Sequence, residues 1–282
     1  VRAVKEYTKG LEMDSANTNL LNSLGEAYAQ MNKPRKAQPF FEAVLGTDSK
    51  HYMALFNLGV TSLIMADNEK AIKYFERALT AIRRKPKADH RNDLLLQLGK
   101  LYCRTGRYAK AVTLLKREKI LDEASSITPG RYALLRYLGE AYMGKGNNKD
   151  AIMVLQRAIR YNPHDAYALS MLGELYALEN QGDDIALSLC EQAVNIDDRQ
   201  WQHWYRLALV RYKMGSYELA LDDLKESMRQ ERKKKESLYL AGQVYDKLGA
   251  QSKAEAMFKS VLKIAPDHKA AGAALKKSQI RK

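Results

Sequence analysis

The side chains that could carry chemistry are five histidines, two cysteines and a set of regularly spaced glutamates. No two histidines have the i, i+4 spacing that places two zinc ligands on one helical face. Cys103 and Cys190 lie far apart, which favours a reducing compartment over a disulfide scaffold. Glu26, Glu140 and Glu174 recur in one sequence context. A glycosidase-like carboxylate pair is one interpretation; helix residues that face solvent or line a groove are the better one.

The stretch MGKGNNKD (143–150) looks like a phosphate-binding loop. Its position between two helical patterns indicates an inter-helix turn instead. No phosphate-binding or dinucleotide-binding motif follows a strand, because no convincing strand is predicted. A Gly-x-Ser-x-Gly nucleophile motif is also missing from the sequence. We therefore predict that the segment is not an enzyme, with no catalytic residue, no metal site and no cofactor.

The chain is basic, with 47 Lys and Arg against 33 Asp and Glu and a net charge of +14. The clusters at 83–87, 229–235 and 276–282 could attract nucleic acid or an acidic partner. A solvated surface is the simpler interpretation, because the clusters lack the interleaved aromatic residues that stack on bases. No apolar run approaches the 18 or so residues of a membrane span. We predict no membrane partner, a cytoplasmic location and, since the chain begins with Val1, a fragment of a longer protein.

The elements that must position any site are set by an internal repeat. An alanine recurs at intervals of 34 to 40 residues, and an apolar residue follows each alanine four places later. This spacing puts both residues on one helical face. The alanines are Ala3, Ala37, Ala71, Ala111, Ala151, Ala186, Ala220 and Ala254.

A second series lies upstream of each alanine. A small residue follows a large apolar residue by four places and usually precedes a tyrosine by three, so each unit reads as helix A, a turn and helix B. A glycine inside a helix costs about 1 kcal/mol relative to alanine. We expect close approach of the neighbouring helix to offset that cost. The small residues are Gly25, Gly59, Gly99, Gly139, Gly173, Ala208 and Gly242.

This pattern resembles the tetratricopeptide repeat (TPR) family, on the Leu/Trp, Leu-Gly-x-x-Tyr, Ala and Phe/Leu positions. The resemblance implies an all-α fold, a right-handed α-solenoid of stacked helix hairpins, as a single array over 1–282. A weaker resemblance of residues 179–198 to TPR arrays of bacterial signalling proteins implies a cytoplasmic, multidomain, bacterial parent. The predicted parts are helix B of a truncated repeat at 1–15, full repeats at 18–51, 52–91, 92–131, 132–165, 166–200, 201–234 and 235–268, and a C-terminal capping helix at 269–282.

Two of these repeats are six residues longer than the others. The extra length falls near Arg83–Arg91 and Glu118–Arg131, and we expect a disturbed superhelix near 118–131. Longer helices and loops are the simpler interpretation, and a functional bulge is the alternative.

In TPR arrays, the resemblance implies, helix A lines a concave groove that holds an extended peptide or a helix. Arg and Tyr are favoured anchors at such surfaces, so we predict a protein or peptide partner that carries Asp, Glu or a free carboxylate. The alternative is that these residues only solvate the inner surface. The carried-over groove residues are Asn22, Asn57, Gln97, Lys100, Arg104, Arg136, Tyr137, Tyr167, Tyr205 and Arg206.

One sub-pattern of the family is not met. Chaperone-tail-binding TPR domains, the resemblance implies, use a Lys, Asn, Asn, Lys, Arg clamp across three repeats. The corresponding positions here match only at Asn57, so that activity is not predicted. The positions are Asn22, Glu26, Asn57, Asp93 and Gln97.

Two other function classes stay open. Val4, Tyr7 and Leu11 predict an apolar stripe on the first helix, and such a stripe favours self-assembly through terminal repeats unless a parent protein covers it. Nucleic-acid binding is suggested by the +14 charge and a period near that of pentatricopeptide arrays, but the Leu-Gly-x-x-Tyr series fits TPR better. The leading prediction is a non-enzymatic protein-interaction scaffold.

Overall fold

A computed structural model describes residues 2–82, 89–117 and 129–280 of the chain. Every regular element in these ranges is an α-helix, which confirms the all-α class. The two extended segments, and the disturbance expected near 118–131, lie largely outside the described residues. The helices are α1 (Arg2–Met13), α2 (Thr18–Gln30), α3 (Pro34–Thr47), α4 (Tyr52–Ile64), α5 (Asn68–Ile82), α6 (Asp89–Arg104), α7 (Tyr108–Arg117), α8 (Pro129–Gly144), α9 (Asn148–Tyr161), α10 (Ala166–Leu178), α11 (Asp183–Ile196), α12 (Trp201–Lys213), α13 (Tyr217–Gln230), α14 (Lys235–Lys247), α15 (Gln251–Ile264) and α16 (Lys269–Ile280).

The chain forms two compact units, Val1–Lys145 and Gly146–Lys282. In the first unit α2 packs on α3 and α4 packs on α5, and each helix B also contacts the next helix A. In the second unit α10 packs on α11 and α12, and α12 packs on α13. Helices α2, α6, α10 and α12 therefore each meet both their own helix B and the following helix A. The repeat bounds stay a prediction.

Gly25 and Gly173 of helix A lie where a neighbouring helix comes close. A methyl group at Gly25 would be 2.5 Å from Cε1 of Phe41, whose side chain is fully buried. At Gly173 it would be 2.5 Å from Cys190 Sγ and 2.8 Å from a backbone carbonyl oxygen of α11. Gly99 differs, since its nearest neighbouring atoms would be 3.6 Å away. The expected close approach is confirmed at Gly25 and Gly173.

The turn between helix A and helix B needs one residue in the left-handed conformation. Gly106 (φ +70°) and Gly215 (φ +81°) hold it, as expected for a glycine that ends a helix. Asn32, Ala66 and Asn180 adopt the same conformation without glycine. The turn geometry therefore recurs even where the glycine does not.

Candidate functional site

A carboxylate held by two amides joins α2 to α4. Asn22 Nδ2 donates a hydrogen bond to Glu26 Oε1 at 2.8 Å, one turn along α2. Asn57 Nδ2, on α4, donates to the same Glu26 oxygen at 2.9 Å and to Asn22 Oδ1 at 3.2 Å. We call Asn22, Glu26 and Asn57 the Glu26 cluster. It brings together two of the predicted groove residues from successive A helices.

A pocket of about 240 Å³ opens beside the Glu26 cluster. Its walls combine apolar side chains with amide, hydroxyl and carboxylate groups. The Thr61 hydroxyl is already engaged, because Oγ1 donates to the Asn57 carbonyl oxygen at 2.7 Å. The lining residues are Glu26, Ala29, Gln30, Phe41, Asn57, Val60 and Thr61.

An ion pair joins α10 to α12 in the second unit. Arg206 Nε donates to Glu174 Oε2 at 2.8 Å, and Arg206 Nη1 donates to Ser170 Oγ at 3.1 Å. The Arg206 and Glu174 side chains are 15% and 17% exposed. Ser170 is fully buried and its Oγ lies 2.9 Å from His203 Nδ1. We call Ser170, Glu174 and Arg206 the Glu174 cluster.

The two clusters occupy the same register. Counted from the predicted repeat starts at 18 and 166, Asn22 and Ser170 are fifth residues, and Glu26 and Glu174 are ninth residues. Their partners on the next helix A are sixth residues of the following repeats. In each unit, therefore, the fifth and ninth residues of one helix A contact the sixth residue of the next.

The aromatic groove residues of the second unit contact neighbouring repeats. The Tyr167 hydroxyl donates to Gln200 Oε1 at 2.8 Å, and the Tyr167 ring meets the His203 ring edge-on at 4.6 Å between centroids. Tyr205 lies against Trp201, with 6.1 Å between ring centroids. Burial raises the pKa of the Tyr205 hydroxyl well above its usual value. Trp201 lies on the same helix, but Tyr205 also packs against a core that includes residues of α14, so both tyrosines contribute to packing between successive repeats.

Arg136 and Tyr137 form a stacked pair on α8. The Arg136 guanidinium lies 4.8 Å from the centre of the Tyr137 ring, and its Nη2 donates to the Tyr137 hydroxyl at 3.2 Å. The Tyr137 carbonyl oxygen accepts from Cys103 Sγ at 3.5 Å, which joins α8 to α6. Burial raises the pKa of the Cys103 thiol well above its usual value, so this cysteine is not an activated nucleophile.

The remaining predicted groove residues lie on α6. Gln97 is half-buried, whereas Lys100 and Arg104 are exposed. Arg104 Nη2 donates to Asn68 Oδ1 at the first residue of α5. The Arg104 side chain is therefore drawn towards helix B of the preceding repeat. The assignment of all these residues to a binding groove stays a prediction.

Sequence reasoning missed Ser170 of the Glu174 cluster and two residues beside the clusters, Val60 and His203. Ser170 occupies the fifth position, the same as Asn22, so the repeat register could have identified it. Val60 occupies the ninth position and lines the pocket beside Glu26. The repeat register does not identify His203. Only the structure shows that this α12 residue is buried and that its Nδ1 lies beside Ser170 of α10.

Three of the features first considered for chemistry, His51, His268 and the MGKGNNKD turn, have structural roles. His51 Nδ1 accepts from the Ala54 amide at 3.2 Å and caps α4, and His268 Nδ1 accepts from the Ala271 amide at 3.1 Å. In the MGKGNNKD turn, Asn148 Nδ2 donates to Glu179 Oε1 at 2.6 Å. Among residues 2–82, 89–117 and 129–280, no group of three or more His, Cys, Asp or Glu side chains could hold a metal ion.

The apolar stripe of α1 is partly covered. Val4, Tyr7 and Leu11 are half-buried, and Leu11 packs against the core formed by α2, α3 and α4. α1 has no fully buried residue. Self-association through this helix stays a prediction. None of the helices in the described ranges has both the length and the apolar character needed to cross a bilayer.

Comparison with known proteins matches three sequence models of the tetratricopeptide repeat to residues 18–51, 51–118, 137–200 and 235–268. The chain is 26% identical to BBSome complex member BBS4 of Bos taurus, over 80% of this chain and 41% of that protein. It is 25% identical to Hsp70-Hsp90 organizing protein 3 of Arabidopsis thaliana, over 84% and 41% respectively. The chain thus spans less than half the length of these relatives.

The fold is similar to that of a solved structure, the hetero-tetramer Cut9-Hcn1 of the APC/C. The TM-score is 0.71 at 17% identity, over 98% of this chain and 52% of that chain. At this identity the likeness concerns the fold alone. It confirms the predicted solenoid class of helix hairpins.

Proposed function

The chain belongs to the tetratricopeptide repeat family, and we propose that it is a non-enzymatic interaction scaffold that binds a protein or peptide segment along its A helices. The observation that carries the proposal is the contact of Asn57 with Asn22 and Glu26 across successive A helices. Polar side chains fixed before a ligand arrives lose less conformational entropy on binding, which favours affinity. The adjoining pocket gives a bound side chain a place to enter.

The names of the similar proteins support the general role. They refer to a BBSome complex, to an organizing protein of Hsp70 and Hsp90, and to a hetero-tetramer of the APC/C. Each name concerns assembly with other proteins, and those partners belong to those relatives. A chaperone-tail partner is not proposed for this chain, because only Asn57 matches the clamp that the family resemblance implies.

The partner chemistry follows from the cations on α6 and α8. Lys100 is exposed and Arg136 lies on the Tyr137 ring, so we propose that they face acidic residues or a free carboxylate of the bound segment. Arg206 contributes less than Lys100, because its side chain is only 15% exposed and pairs with Glu174. A cytoplasmic location is supported by two buried free thiols, Cys103 and Cys190.

The experiment is a selection of random peptides on the full chain, followed by fluorescence anisotropy with the enriched peptides. We expect Arg136→Ala to weaken binding about tenfold, because a charge-assisted contact at the ligand is lost. The matched control is Arg77→Ala on helix B, where the guanidinium also lies over an adjacent ring, that of Tyr74. Failure to select any peptide, or equal losses in the two variants, would contradict the proposal.

A further inference from the structure

We propose that the pocket beside Glu26 binds the side chain of a lysine or arginine in the partner segment. The inference rests on the proposed function and adds a ligand class to it. The pocket, at one end of the first unit, would prefer a cationic side chain, whereas Lys100 and Arg136 are proposed to prefer acidic groups. The partner segment would then carry both a cationic residue and acidic residues, in a fixed order along the A helices.

The first support is the unused capacity of the Glu26 carboxylate. A carboxylate accepts hydrogen bonds at about four positions over its two oxygens. Asn22 and Asn57 both donate to Oε1. The two amides fix the orientation of the carboxylate without neutralising its charge. The second oxygen keeps its capacity for a cationic donor.

The second support is the contrast with Glu174 at the same register. The Glu174 carboxylate is neutralised by Arg206, the sixth residue of the next repeat. At Glu26 that sixth residue is Asn57, which supplies a neutral amide. Within the part of the chain that the structure describes, Glu26 takes part in no ion pair. Its negative charge is therefore available to a ligand.

The third support is the shape and lining of the pocket. Its volume of about 240 Å³ is far larger than the ~30 Å³ share of one water molecule. Ala29 and Val60 supply accessible apolar wall, and Glu26 and Gln30 supply oxygen acceptors. Long cationic side chains bury their methylene stems against apolar surface and keep a charged end for a polar partner. A lysine or arginine side chain matches this combination of apolar wall and oxygen acceptors better than a purely apolar or an acidic side chain does.

A direct test needs no knowledge of the partner. Nα-acetyl-lysine methylamide is titrated into the ¹⁵N-labelled full chain, with the Asn22 and Asn57 side-chain amide signals as reporters. We expect saturable shifts of both signals in the wild type and none in Glu26→Gln, which keeps the acceptor oxygen but removes the charge. Nα-acetyl-norleucine methylamide, which lacks the charge, serves as the ligand control. The absence of shifts with the lysine probe would overturn the inference.

The selected peptides supply a second test that separates this inference from the proposed function. We expect Glu26→Gln to weaken peptide binding at least about tenfold. Glu42→Gln is the matched control, because exposed Glu42 on α3 also accepts an amide hydrogen bond from a residue one turn earlier, Gln38, at 2.7 Å. Replacing the peptide's lysine with norleucine should remove the effect of Glu26→Gln.

The outcomes are distinguishable. Enriched peptides without lysine or arginine, or equal affinities for the wild type and Glu26→Gln, would refute the cation pocket. If Arg136→Ala still weakened those peptides and Arg77→Ala did not, the scaffold function would stand. Equal effects of Arg136→Ala and Arg77→Ala, together with lysine-probe shifts at Asn22 and Asn57, would retain the pocket and refute the binding surface proposed for α8.

Discussion

The Glu26 cluster and the Glu174 cluster are built in one register and differ in the charge of one residue. In the second unit Arg206 neutralises Glu174, and both side chains are largely buried. In the first unit Asn57 takes the equivalent place, so the Glu26 carboxylate is oriented but keeps its charge. The same backbone arrangement thus serves stability in one unit, whereas in the other we propose that it serves a ligand.

This comparison shows how a repeat fold can vary function without changing its helices. Helix packing depends on the small and apolar residues of the repeat, which are shared by both regions. The fifth, sixth and ninth residues differ between the two clusters, and they contact one another between successive A helices. The residues at these positions, and not the shared fold, therefore decide what a repeat of this family can bind.

The two clusters should differ most in the stability that is lost when the residue that contacts each carboxylate, Arg206 or Asn57, is replaced by alanine. Arg206→Ala should lower the free energy of unfolding by about 3 kcal/mol, because it leaves Glu174 largely buried without a cation. Asn57→Ala should cost less, about 1.5 kcal/mol, the lower end for a hydrogen bond to a charged group, because the half-buried Glu26 carboxylate stays accessible to water. Urea denaturation of both variants measures the difference. Equal costs would show that the two clusters do not differ as described.

The helix-A glycines next to the two clusters should also differ in how much stability is lost when each is replaced by alanine. Gly173→Ala should cost about 3 kcal/mol, because its methyl group would meet a backbone oxygen at 2.8 Å that cannot move alone. Gly25→Ala should cost about 2 kcal/mol, because the ring of Phe41 must shift within a filled core. Gly99→Ala is the control and should be tolerated, since its nearest atoms would be 3.6 Å away. Thermal and urea denaturation would rank the three variants, and a Gly99→Ala cost equal to the others would contradict the packing argument.

The sequence predicted the helices well because their signal is repeated. The four-residue spacings from Leu21 to Gly25 in helix A and from Ala37 to Phe41 in helix B recur in the other units and predict the same helical faces there. The left-handed turn residue was predictable at Gly106, where glycine is present, and not at Ala66, which holds the same conformation against its preference.

The site was less predictable, because contacts between repeats depend on side-chain reach and burial. Asn22 and Asn57 were both predicted as groove residues, but their shared contact with Glu26 depends on how two A helices stack. Arg206 was predicted as a ligand anchor, and its pairing with Glu174 on the preceding helix A could not be read from either segment alone.

The free energy of unfolding should depend on pH through Asp223, which lies in the second unit. Burial raises the pKa of Asp223 to about 7, although Arg211, which donates to it at 2.7 Å, opposes the rise. The ordinary pKa is lower, so between about pH 4 and 7 the folded chain binds a proton that the unfolded chain has lost. The free energy of unfolding should therefore fall as pH rises through this window, by at most about 1.4 kcal/mol per pH unit, and level off above it.

Urea denaturation at about pH 5 and about pH 7.5 measures this slope, and Asp223→Asn should reduce it. Arg211 lies three places after the small residue Ala208, and in the first unit Ser62 lies three places after Gly59. The Ser62 hydroxyl donates to the Leu58 carbonyl oxygen and does not titrate in this range. A slope that is unchanged in Asp223→Asn would show that another group is responsible.

The most direct measurement of the difference between the two clusters is the affinity of a lysine-containing selected peptide for Asn57→Arg. This substitution gives the Glu26 cluster the cation that Arg206 supplies to the Glu174 cluster. We predict a folded protein with near-wild-type stability and at least about tenfold weaker peptide binding, similar to the loss in Glu26→Gln. Unchanged binding by a folded Asn57→Arg variant would contradict the claim that a neutral residue at position 57 leaves Glu26 available to a ligand.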